Sequence, residues 1–419
     1  MHDPASAAAR ARALTLLYAV TLCHFTAMGL YFSAIQLFVE DELLASKAAV
    51  GISVGAFSIT AVLVRPTVGR GIDVRGRKPF LLAGLAALLV SSLGFLAADA
   101  VAEVVALRLI QGISGGCVYT TIAATATDLA PRGKRAGAIA RLSLFLYAGF
   151  AVGPAVAEAL IDHVGFDSVW TLASALAVIA IVIVWRLLPE SGTETMAMRA
   201  TLERGPRRLV HPAAVAPGIV LATTGMGYSS VTGFSSLYAR HVGVSAGLLY
   251  AVFAVVVIGI RLVSGTLADT RGSMRVALPG MALTAIGLGT LSALQHPPTA
   301  VLGVALFGAG FALVFPALMA FTVDRVDEHE RGEALGSFTA FNDIGSGGGA
   351  YLIGAIADAA GFGAAYATPA ALCAAGAVLL ALMARRPAPG PAPATSDRSR
   401  ASTSTSARPD RWRRTADRR

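Results

Sequence analysis

Charge inside a long apolar run is where this sequence could do chemistry, because each such charge costs a few kcal/mol in lipid and needs a partner or a task. Four residues meet that description: Asp343, His24, Glu158 and Arg108. At about 1.5 Å of rise per helical residue, His24 and Asp343 fall near the middle of their runs, and they are the expected protonation pair. Asp343 is the only carboxylate so placed, and a carboxyl group that binds and releases a proton couples whenever a substrate favours one of its two states. Tyr147 holds in the first half the place that Asp343 holds in the second, so it would lie at the same depth and could hydrogen-bond either member. Arg108 and Glu158 fall in the outer halves of their runs, where a pair would neutralise both charges. Plainer readings stand beside these: a packing histidine, a helix-to-helix hydrogen bond from Asp343, and a Glu158 that reaches outer water.

The elements that must hold these residues are apolar helices. Of 419 residues, 55% are hydrophobic and 14% charged, with a mean hydropathy of +0.67, too little polar surface for several soluble cores. A spanning helix takes about 20 apolar residues. Twelve such segments are legible, near 13–38, 48–69, 80–98, 103–127, 136–160 and 168–188, then 213–238, 246–268, 276–294, 299–323, 333–357 and 365–384. The expected fold is an all-α membrane protein of twelve transmembrane helices in two six-helix pseudo-symmetric bundles, residues 13–188 and 213–384. A polar linker at 189–212 joins them, residues 1–12 precede them, and a basic tail at 385–419 is too poor in apolar residues to fold.

One unit has been written twice. Gly69, Asp73, Arg75 and Gly76 return 196 residues later as Gly265, Asp269, Arg271 and Gly272, and Arg65 returns as Arg261. With no gap, the register runs on through Asp162 and Asp358 and through Gly165 and Gly361. Lys and Arg gather in alternate connections, among them Arg75, Arg77, Lys78, Arg132 and Arg271, which places both termini in the cytoplasm and the chain in the inner membrane. The same distribution reads the net charge of +9 as a topology signal rather than a nucleic-acid surface. The first run is too long for a cleaved signal. Cys23, Cys117 and Cys373 lack ligand spacing, so no disulfide framework and no metal site are expected.

Asp73 and Asp269 sit at the cytoplasmic ends of spans 2 and 8, where a carboxylate can face the positive N-terminus of a neighbouring helix and latch the inner side shut. Arg65 and Arg261 lie about a turn above that surface, and snorkelling is the expectation for both. Gly149 and Gly153, like Gly345 and Gly349, are spaced by four and put a flat strip on spans 5 and 11 for close helix contact, with Pro154 adding a bend.

Twelve spans in two halves, with Gly69-x-x-x-Asp73-x-x-Gly76-Arg77-Lys78 between the second and third, resemble the major facilitator superfamily of secondary transporters over about residues 13 to 385. Arg108-x-x-Gln111-Gly112 is the second element of the resemblance. Gly149-x-x-x-Gly153-Pro154 is similar to the signature of the proton-coupled drug antiporter branch. Val74 stands where the family usually has a base, and Ser273 and Met274 replace the Arg-Lys pair in the second copy, so the second side should be less tightly latched. The resemblance implies alternating access about a midplane site, with Arg135 and Arg331 as partners of the latch carboxylates.

It also implies that spans 1, 4, 7 and 10 line a cavity. Here they offer Met28 and Tyr31, then Gln111 and Tyr119, then Tyr228, Ser229 and Thr232, then Phe311 and Phe315, with Tyr147 alongside. An aromatic wall with scattered hydroxyls suits an amphipathic organic compound better than a sugar. Gly112-Ile113-Ser114-Gly115-Gly116 fits a serine-nucleophile pattern, but no histidine is placed to serve it. No phosphate loop for ATP is present. The expected function is therefore export of a small amphipathic compound in exchange for protons, with proton-coupled uptake as the alternative and a non-transporting membrane enzyme or sensor as a remote third. The expected partners are the substrate, protons and the lipid bilayer, with no cofactor, no nucleic acid and a monomeric chain.

Overall fold

The computed structural model describes residues 4–130, 135–188, 210–264, 271–326 and 330–385, and every regular element in them is helical. In chain order these are α1 (Pro4–Leu37, prolonged by a π turn at Phe38–Glu42), α2 (Lys47–Arg75), α3 (Lys78–Gly94) and α4 (Val101–Leu129). Then come α5 (Arg135–His163), α6 (Phe166–Val182, prolonged by a π turn at Ile183–Leu187), α7 (Pro212–Val242), α8 (Ala246–Ser264), α9 (Ser273–Ala293) and α10 (Pro297–Val323). The run Arg331–Arg385 is broken at Gly361 into two arms, α11 (331–360) and α12 (362–385).

The repeat is visible in the backbone. Gly76 and Gly272, which match in sequence, both take positive φ (89° and 87°) where the chain turns into α3 and α9. Gly165 and Gly361 do the same (105° and 78°) ahead of α6 and α12. Only glycine adopts that region without a steric cost, so each half turns at the same two places for the same reason.

Among the described residues, nine helices are long and apolar enough to cross a membrane, the last of them the bent run counted as one, Glu333–Ala384. Twelve is therefore not the number that length and composition return. The expectation counted the two arms separately and included α8, whose apolar stretch Ala246–Leu262 is shorter, and α7, which is rich in Gly, Ser and Thr. Large apolar side chains such as Leu63 and Val255 stand 67% exposed on helix surfaces. That outward-facing apolarity fits a protein that meets lipid on its perimeter.

Within each half, α1 packs closely on α5 and α7 on α11. A Cβ built on Gly153 would stand 2.6 Å from Gly29 Cα, and one on Gly149 2.6 Å from the Thr26 nitrogen. In the second half a Cβ on Gly345 would stand 2.6 Å from Ala222 Cα, and one on Gly349 2.8 Å from Met226 Cα. Both strips thus face a helix of their own half, and backbone meets backbone there because no side chain intervenes. Pro154 is buried in α5 beside this contact. Between the halves, α2 packs on α11 and α5 packs on α8, two contacts related by the same internal repeat.

Candidate functional site

Where the two halves meet, their helices enclose a cavity of about 260 Å³. Eight of the ten residues expected to line it do so: Met28, Tyr119, Tyr147, Tyr228, Ser229, Thr232, Phe311 and Phe315. Tyr228 stacks on Phe311 with ring centroids 5.1 Å apart, and the Ser229 hydroxyl donates to the Ser346 carbonyl on α11. Phe25, Phe32 and Phe150 extend the aromatic wall on the side of the first half.

The two exceptions are held inside the first half. Tyr31 donates a 2.8 Å hydrogen bond to Ser92 Oγ and stacks on Trp170 at 5.3 Å, which fixes it between α3 and α6. Gln111 is fully buried and gives its carbonyl oxygen to Arg108 Nη1 at 2.7 Å. Arg108 is at the cavity but does not meet Glu158. Its guanidinium also donates to the carbonyls of Ser53 (3.2 Å) and Val54 (3.3 Å) and lies 5.0 Å over the Phe57 ring. Each of its three nitrogens finds an acceptor on α2 or α4, so this charge is answered locally.

Asp343 pairs with Arg65, across the halves from α11 to α2. Its expected partner His24 lines the same cavity, but His24 is fully buried, edge-on to Phe25 at 5.0 Å, with no hydrogen bond to either ring nitrogen. Arg65 therefore does not snorkel. A carboxylate within reach in the other half is a better partner than the membrane surface, and the pair is largely enclosed, with side-chain exposures of 26% and 14%. Arg261 does not snorkel either: its guanidinium lies 4.7 Å over the ring of Tyr147. Arg65 matches Arg261 and Asp343 matches Tyr147 across the repeat. Each half thus sends an arginine onto the same position of the other, one copy meeting a carboxylate and the other an aromatic face. That register was the signal in the sequence that pointed to both arginines.

At the face away from the N-terminus several side chains tie the halves together. Glu158, the remaining coupling candidate, accepts from Ser33 Oγ (3.2 Å) and from the Gly247 N–H (2.7 Å) at the start of α8. Asp358 accepts from the N–H groups of Lys47 (2.8 Å) and Ala48 (2.9 Å) at the start of α2. A carboxylate from each half therefore caps a helix N-terminus of the other, where backbone donors and the helix dipole both favour negative charge. Gln36 adds bonds to the Thr232 carbonyl and Tyr250 hydroxyl, and Arg240 pairs with Asp41 at 2.7 Å. This face is closed.

At the opposite face, Arg77 Nε lies 3.1 Å from Asp128 and Lys78 Nζ donates to the carbonyls of Trp185 (2.9 Å) and Leu188 (3.1 Å). The loop's basic residues thus tie α3 to the ends of α4 and α6 within the first half. Gly69 has open space beside it, Gly76 and Gly272 are the turn glycines, and Arg271 is exposed. Gly265 and Asp269 lie outside the described residues, as do the side chains of Asp73, Arg135 and Arg331. Ser114 is buried within α4, its hydroxyl without a partner, and it is not at the cavity.

A family model described as Major Facilitator Superfamily matches residues 17–350 and 275–416. An uncharacterized MFS-type transporter of Burkholderia mallei (strain SAVP1) is 31% identical over 399 residues, 92% of this chain and 95% of the relative. One of Salmonella typhimurium is 24% identical over 382 residues, 88% and 95% of the two chains. Among solved structures, the human organic anion transporter MFSD10 (TETRAN) aligns with a TM-score of 0.67 at 18% identity, and a mutant of the nucleoside transporter NupG with 0.72 at 13%; each alignment covers 88% of this chain and 99% of the other. With a family match over most of its length and a relative of that identity and coverage, this multi-pass membrane protein belongs to the major facilitator superfamily of transporters.

Proposed function

We propose that this transporter is a proton-coupled secondary carrier that works by alternating access, with the Asp343–Arg65 pair as its coupling element. The carrying observation is that the one carboxylate at the cavity wall among the described residues is bonded to the opposite half. A proton on Asp343 cancels the attraction that joins the halves at this point, so protonation and the relative position of the halves become linked quantities. The pair is present when Asp343 is ionised and lost as pH falls through its titration. Other charged or titratable groups facing it across the cavity are Arg108, Arg261, His24, Tyr119, Tyr147 and Tyr228. The proposal includes twelve crossings and both termini on the cytoplasmic side of the inner membrane, supported by the placement of Arg77, Lys78 and Arg271.

The sense of coupling follows from substrate charge. A cation would compete with the proton for Asp343 and give exchange, the export reading that the Gly149-to-Pro154 motif favours. An anion would compete with Asp343 for Arg65 and travel with the proton, giving uptake. Among the described residues, three arginines and one carboxylate at the cavity wall favour the second.

The test is a pair of proteoliposome assays on the parent and Asp343→Asn proteins, one with an imposed pH gradient and one counterflow assay without it. Accumulation against the substrate gradient should disappear in the variant while counterflow persists. Accumulation at the parental proton stoichiometry would make Asp343 structural.

A further inference from the structure

We infer that the cavity takes a small organic anion with an aromatic body, its charged group seated on Arg261 and, once Asp343 is protonated, on Arg65. This assignment rests on the cavity being the transport site.

The charges at the cavity wall do not balance. Arg65 is answered by Asp343, and Arg108 by two backbone carbonyls and Gln111. Arg261 has a ring face only, 4.7 Å from Tyr147, and no carboxylate within salt-bridge distance among the described residues. Its Nε is buried without a hydrogen-bond partner, and so is that of Arg65. A guanidinium with a buried, unpartnered Nε demands an acceptor, and its planar fork best fits a carboxylate, sulfonate or phosphate group. A cationic ligand would instead meet unanswered positive charge.

Ser346 Oγ on α11 is also unpartnered and can donate a further hydrogen bond to an anionic oxygen at this wall. Much of the remaining wall is ring surface, with Phe25, Phe32 and Phe150 from the first half and Tyr228 and Phe311 from the second. The volume, about 260 Å³, lies at the small end for a ligand site and suits a compact ring body.

The arginines arise as repeat-related copies, but their partners differ, and that asymmetry supplies a sequence of events. With Asp343 ionised, Arg65 is occupied and only Arg261 is available. When a proton reaches the Asp343 carboxylate, the Arg65 guanidinium is released to the substrate's oxygens. Proton and anion then raise each other's affinity by the same factor.

The experiment measures binding to the purified full-length protein in nanodiscs, using 1-naphthoate, 1-naphthalenesulfonate, 1-naphthylmethylammonium and uncharged 1-naphthalenemethanol as probes. In the parent, both anions should bind at least about tenfold more tightly than the ammonium probe, and naphthalenesulfonate should bind more tightly at about pH 5.5 than at about pH 8, since the probe itself stays ionised throughout. Arg261→Gln should weaken the anions by about tenfold or more and leave naphthalenemethanol unchanged, and Arg261→Lys should recover part of the loss. Tighter binding of the ammonium probe to the parent, or no anion binding up to about 10 mM, overturns the proposal whatever becomes of the variants. Equal anion affinity in the parent and Arg261→Gln also overturns it. Anion binding that depends on Arg261 but not on pH keeps the anion site and removes Asp343 as its coupling partner, so the two readings fail separately.

Discussion

Replacing Gly153 by alanine should separate α1 from α5 and lower stability, whereas the same change at Gly348 should not. The added Cβ at residue 153 would stand 2.6 Å from Gly29 Cα, from its carbonyl carbon and from the Leu30 nitrogen. All three are backbone atoms, so no side chain can rotate away. Ordinary carbon contacts lie at about 3.5–4.0 Å, and relief requires the helices to part by about 1 Å, an overpacking strain of about 1–3 kcal/mol. At Gly348 nothing lies within 4 Å of the built Cβ, so alanine there meets no clash. There the higher helix propensity of alanine contributes about 1 kcal/mol of stability. The two single-methyl variants should thus differ by roughly 2–4 kcal/mol. Apparent unfolding midpoints of the detergent-purified proteins, taken at one scan rate because membrane proteins unfold irreversibly, give the comparison. A Gly153→Ala midpoint at or above that of Gly348→Ala would refute the claim that the glycine strip is a backbone-to-backbone contact.

Removing the cap that Asp358 places on α2, by Asp358→Ala, should cost about 1 kcal/mol of closure at the far face, a shift of about fivefold toward the open arrangement. Faster reaction of a membrane-impermeant maleimide with a cysteine at Ser33, in a background lacking Cys23, Cys117 and Cys373, is the readout; an unchanged rate contradicts it. Tyr31→Phe should lose the hydrogen bond to Ser92 and about 1 kcal/mol of stability with no change in substrate KM, while Tyr228→Ala should raise KM. A KM effect at Tyr31 would put that residue back at the cavity.

The repeat was the most legible feature of the sequence. It located the turn glycines, because a position that needs positive φ tells its own residue type, and it paired Arg65 with Arg261 before any helix was placed. The helix faces toward the cavity were also readable, since aromatic and hydroxyl residues mark them. What periodicity cannot tell is which neighbour a side chain meets. Tyr31 looked like a cavity residue until Ser92 and Trp170, from two other helices, took its hydroxyl and ring. The snorkelling expectation for Arg65 weighed only its distance from the membrane edge, while its partner Asp343 lies 278 residues away in sequence. Likewise nothing near Lys47 announces that Asp358 caps its helix, 311 residues downstream. The span count differed because the bent run at Gly361 counts as one, α8 has a shorter apolar stretch, and α7 is rich in Gly, Ser and Thr.

The measurement that bears most directly on coupling is the distance between the halves at the face that carries α2's end and α11's start, followed as a function of pH. Spin labels at Val74→Cys and Gly336→Cys occupy exposed positions on the two elements that Arg65 and Asp343 join. Electron paramagnetic resonance distance distributions from nanodiscs would be recorded from about pH 8 down to about pH 5. In the parent the ion pair holds the labels close at high pH and the distance lengthens as protonation of Asp343 breaks it. In Asp343→Asn the long distance should be present at every pH. A parental distance that does not move with pH, or one that moves equally in Asp343→Asn, would contradict the assignment of coupling to this pair.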